Sequence, residues 1–96
     1  MSFKLDLHVH TESHGKTLIN AGQLRQSFRN NNINGIAVAN FFDISHALWL
    51  KKKLQEFIVI IGQEIWTNDG HVIGLGLKER IADSQDAADT IGLIHD

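Results

Sequence analysis

The sequence predicts an α/β fold whose principal elements run β-α-β-α-β-β-α around a mostly parallel sheet. Three observations carry that expectation. Residues 3–10 alternate apolar and polar side chains, the two-residue period of a strand. Two later runs, Ile36-Ala37-Val38-Ala39 and Ile58-Val59-Ile60-Ile61, are wholly apolar, as strands covered on both faces are. Helical periodicity lies between the strands, and strands separated by helices imply crossovers that keep the sheet parallel, with only the final pair antiparallel.

The elements follow in order. In residues 3–10, Phe3, Leu5, Leu7 and Val9 fall on one face and Lys4, Asp6, His8 and His10 on the other, so the first set is expected beneath helices. Residues 11–19 read as a polar loop. A helix is predicted from about Asn20, where Asn20 and Gln23 have capping-box spacing and Ala21, Leu24 and Phe28 form the apolar stripe. Asn30, Asn31 and Asn32 end it, and Asn34-Gly35 turns the chain into a strand over residues 36–39. The second helix is expected from Asp43 or Ser45 to Gln55. Ala47, Leu50 and Leu54 point inward there, and Lys51, Lys52 and Lys53 form a solvated face. Residues 57–65 make the strongest strand, and Asp69-Gly70 marks a hairpin into residues 71–77. The last helix, capped by Asp83 or Ser84, carries Ala87, Ile91 and Ile94 on one side.

Composition narrows the function. A chain of 96 residues forms a single unit, residues 1–96, and buries only about two-thirds of its unfolded surface in one modest core. With 43% apolar and 21% charged residues it is neither disordered nor fibrous. No run approaches the ~18 apolar residues of a membrane span, and the first residues lack a signal peptide's charged start and apolar stretch. The absence of Cys excludes a disulfide framework and thiolate metal sites, and fits a cytoplasmic protein. A net charge of −2 gives no footprint for nucleic acid. The conspicuous count is 6 His.

The sharpest local signal is Asp6-Leu7-His8-Val9-His10-Thr11. Residues two apart on a strand share a face about 6.6 Å apart, so the His8 and His10 imidazoles can converge on one ion at the strand's C-terminal end. Neutral imidazoles are borderline-soft nitrogen ligands that leave positions for carboxylate and water. Asp6, read on the same face, is placed to accept a hydrogen bond from a ligating imidazole or to sit buried with another partner. The competing reading is two polar residues at a sheet's mouth. Glu64 closes a nearly all-apolar run, where a carboxylate is seldom fully buried without a cation, and the ligand and non-ligand readings stand even on this signal alone. His14 lies in the loop, where exposure to solvent is the commoner state.

For His71 the hairpin offers two registers. Pairing of Trp66 with His71 puts Glu64 and His71 on one face, about 7 Å apart along the strand. A tight Asp69-Gly70 turn sets Asn68 opposite His71 and doubles the separation to about 13 Å. Only the first register permits a shared cluster. His46 and His95 read as ordinary helix residues, and Trp49 and Trp66 as packing rather than a stacking platform. Gly74 and Gly76 alternate within a strand and form no phosphate-cradling loop.

These residues resemble a known family. Asp6-Leu7-His8-Val9-His10-Thr11 is similar to the first motif of the PHP (polymerase and histidinol phosphatase) superfamily, and Ser13-His14-Gly15-Lys16 to the loop after it. Gly62-Gln63-Glu64-Ile65 resembles the later Gly-x-Glu motif, and Gly70-His71-Val72-Ile73-Gly74-Leu75-Gly76-Leu77 the strand that follows. Order and rough spacing agree along almost the whole chain. The resemblance implies a distorted (β/α)7-type barrel that binds divalent ions (Zn, Mn or Fe) at its strand ends and hydrolyses phosphate esters by a metal-activated hydroxide. It makes His8, His10 and Glu64 metal ligands, with Glu64 bridging two ions, and adds His14 and His71 as further ligands. One or two ions and a small phosphorylated substrate are implied.

Two departures accompany the matches. The family's Thr-Asp-His motif falls at Ala39-Asn40-Phe41, so Phe41 stands where a ligating His is expected and Asn40 where an Asp is. Phe cannot coordinate metal, which weakens or removes the ion shared with His14. The chain also spans only the N-terminal half of a domain that needs upward of ~200 residues. Such an incomplete barrel leaves a sheet edge unpaired and an apolar face uncovered, so a partner is expected: a homo-oligomer or the missing C-terminal half. The leading expectation is a metal-dependent phosphoesterase. The alternative is a truncated or degenerate PHP-like module that binds an ion and associates without catalysis. A His-rich metal-binding α/β domain outside the family is the third.

Overall fold

The computed structural model describes residues 4–13, 17–18 and 20–96. Among them the chain forms β1 (Leu5–Val9), β2 (Glu12–Ser13), β3 (Thr17–Leu18), α1 (Ala21–Asn31), β4 (Gly35–Phe41), α2 (Ser45–Lys53), β5 (Ile58–Thr67), β6 (Gly70–Leu75) and α3 (Ala87–His95). The principal order is β-α-β-α-β-β-α, as the periodicities predict. A small antiparallel pair, β2 with β3, interrupts the expected loop. The main sheet has the order β1-β4-β5-β6, with β1-β4 and β4-β5 parallel and β5-β6 antiparallel. It is α/β with a mixed sheet.

Helix α1 begins and ends for local reasons. Asn20 caps α1 through its side chain to Gln23 N, and the Gln23 side chain returns to Asn20 N, completing the capping box. Asn32 closes the helix in the left-handed conformation that Asn tolerates, at φ 54°. Before α2, the Asp43 carboxylate accepts from Ser45 N and Oγ. The α3 start corrects the sequence expectation. Asp83 and Ser84 do not cap it: Asp83 accepts Trp66 N, Ser84 N donates to Trp66 O, and the helix begins at Ala87 after Asp86.

One face of the sheet carries the core. Ile36 and Val38 of β4 pair in register with Val59 and Ile61 of β5, and these pack with Leu24 and Phe28 of α1 and Ala47 and Leu50 of α2. Ile94 of α3 covers Gly74, whose strand partner is Gln63, so α3 lies on the same side. All the helices therefore share one face, and the molecule is 20 Å thick, about one sheet layer plus one helix layer. Among residues of the opposite parity, Ile58, Ile73 and Leu75 stay 38–44% exposed, while the smaller Ala37 and Ala39 are buried. The α3 face is also rotated from expectation: Thr90 and Ile94 turn inward, and Ile91 is 44% exposed.

The opening strand departs from simple alternation. Leu5 pairs with Gly35 and Asp6 with Ile36, but Val9 pairs with Val38, so three steps on β1 match two on β4. This slip reverses the alternation between Asp6 and Val9. Asp6 thereby takes a register position on the helix-covered face, not the face of His8 and His10 as expected. Leu5 and Leu7, expected beneath helices, are 43% and 49% exposed on an edge strand, and only Val9 packs against the core.

Candidate metal centre

The site forms where β1, β5 and β6 present side chains on the helix-free face near the C-terminal ends of β1 and β4. Phe41 at the end of β4 pairs with Glu64 of β5, and Glu64 pairs with Ile73 of β6. Glu64 is only 7% exposed, so its charge has to be met by partners rather than water. His8 Nε2 lies 2.6 Å and His10 Nε2 2.9 Å from Glu64 Oε1, and the two imidazole nitrogens are 3.1 Å apart. On the other carboxylate oxygen, His71 Nδ1 lies 2.8 Å from Oε2.

Burial pushes the Glu64 carboxyl up, but hydrogen bonds from His10, His8 and His71 outweigh it and hold the group below its ordinary value. His8, His10 and Glu64 are the described group whose ligand atoms all lie within 4.8 Å of one another. Their mutual distances are slightly tighter than the ~3.3 Å edge that tetrahedral ligation at ~2.05 Å implies. Two arrangements satisfy these atoms. Either both Nε2–H groups donate to one carboxylate oxygen, or the three lone pairs face a cation. The donor set, two imidazoles and a carboxylate with open positions beyond, suits Zn, Mn or Fe.

His71 reaches Glu64 because Trp66 pairs with His71 and Thr67 with Gly70. The turn is therefore Asn68-Asp69, not Asp69-Gly70, and the register that permits a shared cluster is the one formed. Gly70, at φ 121°, supplies a conformation that a side chain would strain. Thr67 Oγ1 holds the turn by donating to Gly70 O and accepting from Asp69 N. Glu64 thus divides its oxygens, Oε1 toward His8 of β1 and His10 just after it, and Oε2 toward His71 of β6.

The remaining expectations fall as follows. Asp6 accepts from the backbone N–H of its neighbour His8 at 3.1 Å, and no imidazole bond to it is among those described. His14 lies outside the described residues. Phe41 stands inside the site, its ring centroid 4.6 Å from that of His10 and 6.1 Å from that of His71. It supplies hydrocarbon where the resemblance expects a ligand. Asp43 is committed to the start of α2.

Sequence reasoning missed the polar anchor behind the site. Thr11 N donates to Asn40 Oδ1 at 2.7 Å, Asn40 Nδ2 donates to Thr11 Oγ1 at 2.9 Å, and that hydroxyl meets His46 Nδ1 at 2.7 Å. All three residues are buried. The anchor ties the residue after His10 to the end of β4 and the first turn of α2, fixing the exit of β1. A signal was present: Asn40 is polar at the end of a wholly apolar strand, where an amide is kept only if satisfied. His46 is a buried partner in that network rather than an ordinary helix residue. Compared with family models, curated proteins and solved structures, the chain matches none.

Proposed function

We propose that the chain is part of a PHP-type metal-dependent phosphoesterase, an incomplete (β/α)7-type barrel acting on a small phosphorylated substrate in the cytoplasm. One observation carries the reading: His8 Nε2, His10 Nε2 and Glu64 Oε1 converge within 3.1 Å at the sheet's mouth. In it His8, His10 and Glu64 hold one divalent ion. His71 holds Oε2 and so keeps Oε1 aimed at the two imidazoles. Phe41 shields the buried side from water and supplies no donor for a second ion. The Thr11-Asn40-His46 anchor fixes the strand end that carries His10. When bound, the ion offsets charge on the phosphoryl oxygens and lowers the pKa of water.

A second reading, an ion-binding association module without catalysis, is favoured by Phe41 and by the apolar residues exposed on the open face. Turnover of p-nitrophenyl phosphate with added Mn²⁺ or Zn²⁺ separates the two. The phosphoesterase reading expects turnover that falls at least ~100-fold in His8→Ala and in Glu64→Ala, the upper end of what losing even an outer partner of a ligand costs. Metal bound without turnover supports the module. A chain that binds neither ion contradicts both.

A further inference from the structure

Two half-exposed aromatic residues, Phe42 and Trp66, lie beside the metal centre and outside the hydrophobic core. Phe42 follows Phe41 at φ 73°, a left-handed conformation that is a true outlier for a bulky residue, and its side chain remains 45% exposed. Its carbonyl accepts from Arg80 Nε, which ties the strained turn to the segment after β6. Trp66 is 42% exposed. The Phe42 and Trp66 ring centroids are 5.6 Å apart at 56°, and Phe41 meets Trp66 edge-on at 5.6 Å. Trp66 in turn stacks on His71 at 5.3 Å and 4°, and His71 bonds Glu64. The exposed rings are thus joined through one imidazole to the carboxylate of the site. Strain retained to keep an aromatic ring in solvent is a pattern of binding sites, because folding alone favours relaxing the turn and burying the ring.

We infer that Phe42 and Trp66 form a subsite for the planar aromatic or heteroaromatic group of a phosphate ester whose phosphoryl group meets His8, His10 and Glu64. This inference rests on the phosphoesterase reading above. A phosphoryl group gains nothing from apolar rings, whereas a flat leaving group gains stacking area and loses little freedom on binding. The rim therefore selects aryl over alkyl esters.

Trp66 is itself the reporter. The chain has 2 Trp, and Trp49 lies on α2 stacked against His46, so Trp49→Phe leaves a single indole at the rim. The Zn²⁺-loaded W49F protein is titrated with phenylphosphonate and with methylphosphonate, read by Trp66 fluorescence and by calorimetry. The expected result is phenylphosphonate binding about tenfold tighter, the size of one aromatic pair. In Phe42→Ala that ratio falls to about one, and in Phe42→Leu, which keeps bulk without a π face, it is intermediate. Equal affinities in the parent protein, or a ratio unchanged in both variants, overturn the subsite and leave the phosphoesterase reading standing. Failure of the Zn²⁺-loaded protein to bind either phosphonate overturns both. A change of oligomeric state in Phe42→Ala with an unchanged ratio makes the rim a protein interface and overturns the subsite.

Discussion

Glu64 is 7% exposed at the end of an apolar strand, with three imidazole nitrogens within 2.9 Å of its oxygens. Its carboxyl is held below the ordinary value of 4.5, so it favours the fold when ionised. The sign follows: that contribution is complete above the unfolded value of about 4.5 and is lost as pH falls through the lower folded value. Chemical denaturation in chelator should therefore show wild type more stable than Glu64→Gln near neutrality, with the gap closing in acid below about pH 4.5. A gap that widens in acid contradicts this. Asn40 is the other residue on which the site depends. Asn40→Ala leaves Thr11 N–H and its hydroxyl without their amide partner, and should cost about 1–3 kcal/mol of stability by urea titration. His8, His10 and Glu64 were legible in the sequence because strand alternation and an acid ending an apolar run are local signals. Asp6 was misplaced because a slipped register leaves no mark in a periodic pattern.

The elements were legible wherever one face is buried, since burial imposes the period that the sequence records. Thus α1 with its capping box and the apolar strands β4 and β5 stand where the patterns put them, and the β5-β6 hairpin forms with its turn one residue earlier than the Asp69-Gly70 pair suggested. The strands that reach past their apolar runs and the late start of α3 were not legible, because tertiary hydrogen bonds decide them. Gln63 is the clearest case. Its amide donates to Ile81 O at 2.8 Å and accepts from Ile81 N at 2.9 Å, pinning the segment before α3 to β5. Gln63→Ala should cost about 1–3 kcal/mol, read by thermal or urea unfolding, because both Ile81 groups lose their partner. Close strand approach makes a second prediction. A Cβ at Gly35 would lie 2.3 Å from Ile58 O and 2.6 Å from Ile58 Cβ, so Gly35→Ala must push β4 from β5. The expected loss is about 1–3 kcal/mol, the usual range for overpacking. A Gly35→Ala protein as stable as wild type refutes that close approach.

On the scale of the whole molecule, the three helices among the described residues lie on one face, and Leu5, Ile58, Ile73 and Leu75 remain 38–44% exposed on or beside the other. The edges β1 and β6 flank that face. Large apolar side chains exposed on a helix-free sheet face suit an interaction surface, so sedimentation should show association that Ile73→Lys weakens. A chain that stays monomeric at every concentration tested contradicts the incomplete barrel. Helix-strand order alone predicted the mostly parallel pairing with its antiparallel final pair, but not the gathering of the helices on one face, and an uncovered face was expected only through the family resemblance. Everything proposed for function depends on whether the three converging side chains hold a cation. The most direct measurement is Zn²⁺ or Mn²⁺ calorimetry with elemental analysis of the dialysed protein. One ion per chain is expected, with binding abolished in His8→Ala, His10→Ala and Glu64→Ala and retained in Asp6→Asn. Wild type that binds no ion, or binds it equally in all these variants, contradicts it.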